Sequence, residues 1–179
     1  MEPIPSFLDF EASSLSPYSY PIEVAWNLSD GSIESHLISP EAVTHWTDWD
    51  PESEKIHGIP RQELIKYGKP PSWVCERMNE QLSGKTVFSD APRFDGRWLM
   101  KLYSVYENPE PDFLLGNAYD QILTTLCPEM RGRAYGLIKL EVIILEARKR
   151  VPKQHRAAWD VEYLVEMWKL AYSDSRASR

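Results

Sequence analysis

The first 38 residues contain three short runs with β-branched or aromatic alternation, at 4–10, 22–28 and 33–38, the last two separated by the turn-forming Ser-Asp-Gly at 29–31. Runs of this length and period, divided by turn chemistry, predict three strands in a hairpin ladder. The chain then changes character. Pro51 and Pro60 stand where first helical turns start, and Pro71 precedes Trp73, Val74, Met78 and Leu82 at helical spacing, with Gly84 as the stop. Residues 85–89 predict a buried fourth strand, which leads into a helix through Phe94, Trp98, Leu99 and Leu102. A fifth strand is expected over 112–115, then helices over 119–126, 134–150 and through Trp159, Tyr163, Leu164, Met167, Trp168 and Tyr172. Three hairpin strands followed by alternating helices and strands predict an α/β fold with a mixed sheet and helices on its faces.

At 179 residues the chain is expected to form a single domain, 1–179. No apolar run reaches the length of a signal-peptide core or a bilayer span, so no membrane partner and a cytosolic, cytoplasmic location are expected. Cys75 and Cys127 lack a Cys-x-x-Cys pair or histidines at zinc-ligand spacing, and read as core thiols. The net charge of -7 argues against binding nucleic acid through a broad basic surface. That charge is uneven: Arg131, Arg133, Lys139, Arg148, Lys149, Arg150, Lys153 and Arg156 face only Glu141 and Glu146 in the same stretch. Such a run is readable as a solvated helix face or as a phosphate-attracting patch.

Asp9 and Glu11 lie in the first strand one residue apart, so the two-residue period sends both carboxylates to one face. Carboxylates among Phe7, Leu8 and Phe10 are costly to desolvate unless compensated, by an ion pair, by edge exposure or by a divalent cation. Asp95 follows the fourth strand, where it either caps the next helix or faces the strand ends. His155 and Asp160, in His-Arg-Ala-Ala-Trp-Asp, are too far apart to be helical neighbours, which places His155 in a loop after Pro152 and Asp160 in the opening turns of the last helix. Asp48-x-Asp50-x-Glu52 is not a calcium loop, since Ser53 and Ile59 occupy positions that need glycine and glutamate; it reads as a helix-initiating stretch.

In order and context these pieces resemble the DEDDh exonucleases, the family of polymerase proofreading subunits, ribonuclease T and oligoribonuclease. Phe7-Leu8-Asp9-Phe10-Glu11 is similar to the first motif, Phe94-Asp95 with Leu99 to the second, and His155-x-Ala157-x-x-Asp160 to the third. Lys55-Ile56-His57-Gly58-Ile59 resembles the family's intermediate segment. Two departures stand out: Ser89 and Asp90 occupy positions where the family often has His-Asn, and Ser13-Ser14-Leu15 replaces a Thr-Gly-Leu type turn.

The resemblance implies a ribonuclease H-like fold with a mixed five-stranded sheet. It implies a 3′-5′ exonuclease that releases nucleoside 5′-monophosphates from single-stranded 3′ ends of DNA or RNA, or from short oligonucleotides. Two divalent cations, Mg2+ or Mn2+, would be held by Asp9, Glu11, Asp95 and Asp160, the first bridging both, and His155 would deprotonate the attacking water. Leu15, Ser14, Tyr18 and Tyr20 after the first motif, with His57, Ile59, Phe94 and Arg156, are the expected substrate contacts, helped by basic residues around His155. A homodimer is compatible, because several relatives are dimeric. Two other functions stay open at this point: a silent nuclease-like binding or adaptor subunit, and a hydrolase of small nucleotides or cyclic phosphates.

Overall fold

The computed structural model of the protein describes residues 3–127, 133–152 and 154–177. Five strands and seven helices follow in the order β1 (Ser6–Ala12), β2 (Pro21–Asn27), β3 (Ile33–Leu37), α1 (Pro51–His57), α2 (Arg61–Tyr67), α3 (Pro71–Leu82), β4 (Thr86–Ser89), α4 (Pro92–Tyr103), β5 (Leu114–Asn117), α5 (Ala118–Leu126), α6 (Arg133–Arg150) and α7 (Ala157–Ala177). The expected mixed sheet is present, in the order β3-β2-β1-β4-β5. β1, β2 and β3 pair antiparallel, and β4 and β5 add in parallel. β1 is therefore the central strand, and whatever its carboxylates need must come from the faces of the sheet or from the strand ends.

Alternation along β1 and β2 divides the side chains between two cores. Leu8, Phe10, Ile22, Val24 and Trp26 pack with α3 and α4 residues such as Val74, Met78, Leu99 and Leu102. Phe7 and Ala25 pack on the opposite face against Ile122, Ile143, Val161, Leu164 and Trp168 of α5, α6 and α7. Each fully buried Val, Leu, Ile, Phe or Met side chain among them contributes about 1.5–3 kcal/mol by leaving water. By the same period, Asp9, Glu11 and Glu23 lie on the face covered by α7. Trp168 is buried there and stacks on Tyr172 at 5.1 Å, which makes this aromatic stretch of α7 largely core.

β5 starts two residues later than the sequence suggests. The chain at Asp112 is tied to the α3–β4 turn instead: Gly84 N–H donates to the Asp112 carbonyl at 2.8 Å, and Asp112 N–H donates to Asn79 Oδ1 at 3.2 Å. The ladder then pairs Thr86 with Leu114 and Ser89 with Asn117. Asp50, set aside as a calcium ligand, is the N-cap of α1 and accepts the Glu52 and Ser53 N–H groups. Cys75 is buried, and loss of hydration pushes its thiol up to about 12. Among the described residues no helix is long and apolar enough to cross a membrane.

Candidate metal centre

Asp9 belongs to two carboxylate clusters at once. One oxygen each from Asp9, Glu11 and Asp160 lie within 4.8 Å of one another, and the same holds for Asp9, Asp90 and Asp95. Asp9 and Glu11 come from β1, Asp90 and Asp95 from the end of β4 and the first turns of α4, and Asp160 from the first turn of α7. The fold thus brings all four sequence-predicted acids together, and adds a fifth, Asp90. In the sequence Asp90 reads only as the replacement of an expected residue. The available signal was its position directly after β4, the strand that pairs in parallel with β1.

Crowding of like charge away from water makes ionisation costly. Loss of hydration, then repulsion from Asp95, Asp160, Glu11 and Asp90, raises the Asp9 carboxyl well above its ordinary value. Glu11 is pushed up to about 8, first by loss of hydration, then by Asp160 and Glu23, with Arg156 opposing. Asp95 is pushed up to about 7 by burial, against a hydrogen bond from Ser89, and Asp90 and Asp160 raise it further. Ser89 thus supplies a hydroxyl donor to Asp95 where the family pattern differs. The Phe10 backbone N–H also serves the Asp95 carboxylate, so Asp95 is held by the strand and is not the cap of α4.

His155 lies exposed on the bend that precedes α7. Its neighbour Gln154 lines a crevice with Asp90, Tyr119, Arg148, Asp160 and Tyr163, so this bend borders the acidic centre. Arg156, expected to contact substrate, instead turns its guanidinium to Glu23, with Nε to Oε2 at 2.9 Å and Nη2 to Oε1 at 2.7 Å.

The remaining substrate candidates separate by burial. Leu15 and Tyr18 project from the β1–β2 loop, 70% and 77% exposed, and Phe94 is 43% exposed with the Arg97 guanidinium 5.6 Å from its ring centre. Ser14 is nearly buried and donates to Asp48, with Ser16 also on Asp48 at 3.1 Å. Ser13 N–H and Oγ engage Tyr20 O and N, at 3.0 and 3.1 Å. Serine hydroxyls therefore set the shape of the loop that lacks the family glycine. Tyr20 is fully buried and stacks on Trp46 at 5.2 Å, so it is core and not a base wedge. Ile59 is likewise core, and His57 is buried with Nδ1 accepting the Ile59 N–H at 3.0 Å; burial lowers its pKa.

The basic run is partly neutralised. Lys149 and Arg150 pair with Glu146, Arg150 also pairs with Glu166, and Lys139 pairs with Asp174. Arg131, Lys153 and the Arg133 side chain lie outside the described residues.

No protein-family model matches the chain, and no curated protein does. Solved structures do. Exonuclease I from Methylocaldum szegediense, described as moderately thermophilic, is 21% identical with a TM-score of 0.65, covering 94% of this chain and 40% of its own. Escherichia coli Exonuclease I in complex with a dA16 oligonucleotide is 17% identical with a TM-score of 0.66, covering 97% and 42%. The zinc-bound form of the E. coli enzyme with single-stranded DNA is 18% identical with a TM-score of 0.64, covering 98% and 41%. The chain therefore spans about two fifths of the proteins it matches, and at this identity the likeness establishes a shared fold alone, the expected ribonuclease H-like mixed five-stranded sheet with helices.

Proposed function

We propose that this protein is a divalent-metal-dependent 3′-5′ exonuclease acting on single-stranded nucleic acid ends and releasing nucleoside 5′-monophosphates. The observation that carries this reading is the sharing of Asp9 between two oxygen-only clusters, Asp9–Glu11–Asp160 and Asp9–Asp90–Asp95. The donor set fits hard cations: every candidate ligand is a carboxylate, and Cys75 is a core thiol. The upward shifts at Asp9, Glu11 and Asp95 point the same way, because positive charge at these clusters would offset the repulsion that opposes their ionisation. The fold shared with Exonuclease I, including its complex with a dA16 oligonucleotide, supports the substrate class.

In this reading Glu11 and Asp160 would hold one cation and Asp90 and Asp95 the other, with Asp9 available to both clusters. Bound there, two divalent cations lower the pKa of a water and stabilise the leaving 3′ oxygen of a phosphodiester. His155, on the exposed bend whose Gln154 lines the crevice, would accept the water's proton as general base. Leu15, Tyr18 and Phe94 give exposed apolar surface for the terminal bases, which single-strand binders grip by their faces.

The test is digestion of a 5′-labelled single-stranded oligonucleotide with Mg2+ or Mn2+. A ladder shortened from the 3′ end, lost with EDTA and in Asp9→Asn, is expected; products insensitive to both would reject the assignment. Parallel DNA, RNA and dinucleotide substrates assign the sugar and length preference.

A further inference from the structure

Glu23 and Arg156 lie 133 residues apart in sequence and meet in a bidentate pair. Glu23 is 2% exposed, and its Oε2 also accepts the Ala157 N–H at 3.1 Å, at the start of α7. Three donors from the chain around His155 thus converge on one buried carboxylate. A carboxylate at that place satisfies an otherwise open helix N–H and opposes the positive end of the helix dipole.

The position of Glu23 gives the arrangement its meaning. In the β1–β2 ladder it stands directly opposite Glu11, on the face covered by α7. Arg156 and Ala157 begin the helix whose first turn holds Asp160. The pair therefore ties together the two elements that supply Glu11 and Asp160. A buried ion pair is by itself weak evidence for a stabilising role, since apolar replacements are often neutral or better. Its value here is geometric: Arg156 neutralises the carboxylate opposite Glu11 and fixes where α7 starts.

We infer that Glu23 and Arg156 form an internal clamp that sets the spacing of Glu11 and Asp160 and thereby the cation affinity of that cluster, Arg156 being a positioning residue and not a phosphate contact. This inference rests on the metal-site reading above. The competing role for Arg156, gripping a substrate phosphate, predicts a different pattern and can be separated from it.

Mn2+ is titrated calorimetrically into the full chain without nucleic acid, for wild type, Glu23→Gln, Arg156→Met, Arg156→Lys and the Glu23→Gln/Arg156→Met pair, alongside thermal melts and kcat and KM on an oligonucleotide. Loss of outer residues that orient ligands costs about 10–100-fold in metal affinity. Each single variant is expected to lose about that much, the double variant no more than the worse single one, and Arg156→Lys is expected to recover part. At saturating Mn2+, KM is expected to stay near the wild-type value while kcat falls. Wild-type Mn2+ affinity in the double variant, which removes both charges together and so avoids an orphaned ion, overturns the clamp. Raised KM in Arg156→Met with unchanged Mn2+ affinity, and a silent Glu23→Gln, overturns it in favour of the phosphate contact. Absence of Mn2+ uptake by wild type instead removes the metal-site reading, and the clamp's role with it.

Discussion

The Ser89 hydroxyl donates to the buried Asp95 carboxylate while its oxygen accepts the Ala91 N–H at 3.0 Å, so one small side chain joins the end of β4 to the second acidic cluster. This bond opposes the burial that leaves the Asp95 carboxyl pushed up to about 7. Ser89→Ala removes the donor, raises that pKa further, and leaves less of the ionised form at neutral pH. Mn2+ affinity at about pH 7 is expected to fall severalfold, with recovery above about pH 8 as Asp95 ionises again. An affinity ratio that is the same at both pH values would count against Ser89 acting through Asp95.

Stability and pH are linked by the same carboxylates. In metal-free protein Glu11 titrates at about 8 against 4.5 without the fold, Asp95 at about 7 against 3.8, and Asp9 also well above its ordinary value. Folding therefore favours their protonated forms. Their contribution is whole below about pH 4 and is lost as pH rises through about 7 and then 8. Bound cations would act in the opposite sense, since they favour the ionised groups, and saturation at about 100 times Kd would add about 2.7 kcal/mol. In EDTA, this contribution is expected to lower Tm between about pH 5.5 and 8.5, and the Tm gained on adding Mn2+ is expected to be larger at the higher pH. A metal-induced shift independent of pH would contradict the arrangement.

Most of the fold was legible because it rests on local periods. Alternation in β1 and β2 and the helical spacing of α3, α4 and α7 match the faces those elements bury, except at Trp73 and Phe94, which keep the spacing but face solvent. The start of β5 was not, because it depends on a nonlocal partner: the α3–β4 turn holds Asp112 out of the ladder, and the strand then runs through Gly116, where a Cβ would come within 2.8 Å of the Phe88 ring. The site divides in the same way. Asp9, Glu11, Asp95 and Asp160 carry motif spacing, whereas Asp90 and Glu23 gain their meaning from strand neighbours far away in sequence. Glu23 had a visible signal, a lone acid at the third position of Pro-Ile-Glu-Val-Ala-Trp-Asn. Arg156 reads as a substrate contact because charge is visible in a sequence, whereas its pairing with the buried Glu23 is not.

The exposed apolar edge separates binding from folding. Tyr18 is 77% exposed and Leu15 is 70% exposed, so truncating either to alanine is expected to change stability by no more than about 0.5 kcal/mol. A base stacked on an aromatic side chain is worth about 1–3 kcal/mol, so Tyr18→Ala is expected to raise KM for an oligonucleotide by roughly 5- to 150-fold with little change in Mn2+ affinity. Fluorescence anisotropy with a labelled oligonucleotide in Ca2+ checks this, and unchanged binding in both variants would remove the loop from the substrate path.

His155 is exposed, and its substitution is expected to leave the fold alone. His155→Asn is predicted to reduce kcat by about 10²–10⁴-fold, the usual contribution of a positioned general base, with Mn2+ affinity and Tm preserved. If kcat is retained while Mn2+ affinity falls, the imidazole supports the metal cluster and another group takes the proton.

Asp9→Asn gives the sharpest contrast, because activity and stability are expected to move in opposite directions. Asp9 is the carboxylate common to both clusters, and its charge is opposed by Asp95, Asp160, Glu11 and Asp90. An amide keeps the shape of the side chain and removes one of the crowded charges, relieving repulsion on Glu11 and Asp95 as well. In EDTA above about pH 8, where the crowded groups are driven to ionise, the variant is expected to melt at a higher temperature than wild type. The same change removes the one carboxylate that both clusters share, so Mn2+ uptake and hydrolysis are expected to fall by at least about 10³-fold, a loss of roughly 4 kcal/mol in transition-state stabilisation. Melts in EDTA and Mn2+, run beside the oligonucleotide assay, decide the point. A variant that is destabilised without metal would mean that Asp9 is a structural carboxylate whose charge the fold already satisfies, and the two clusters would lose their claim to cations.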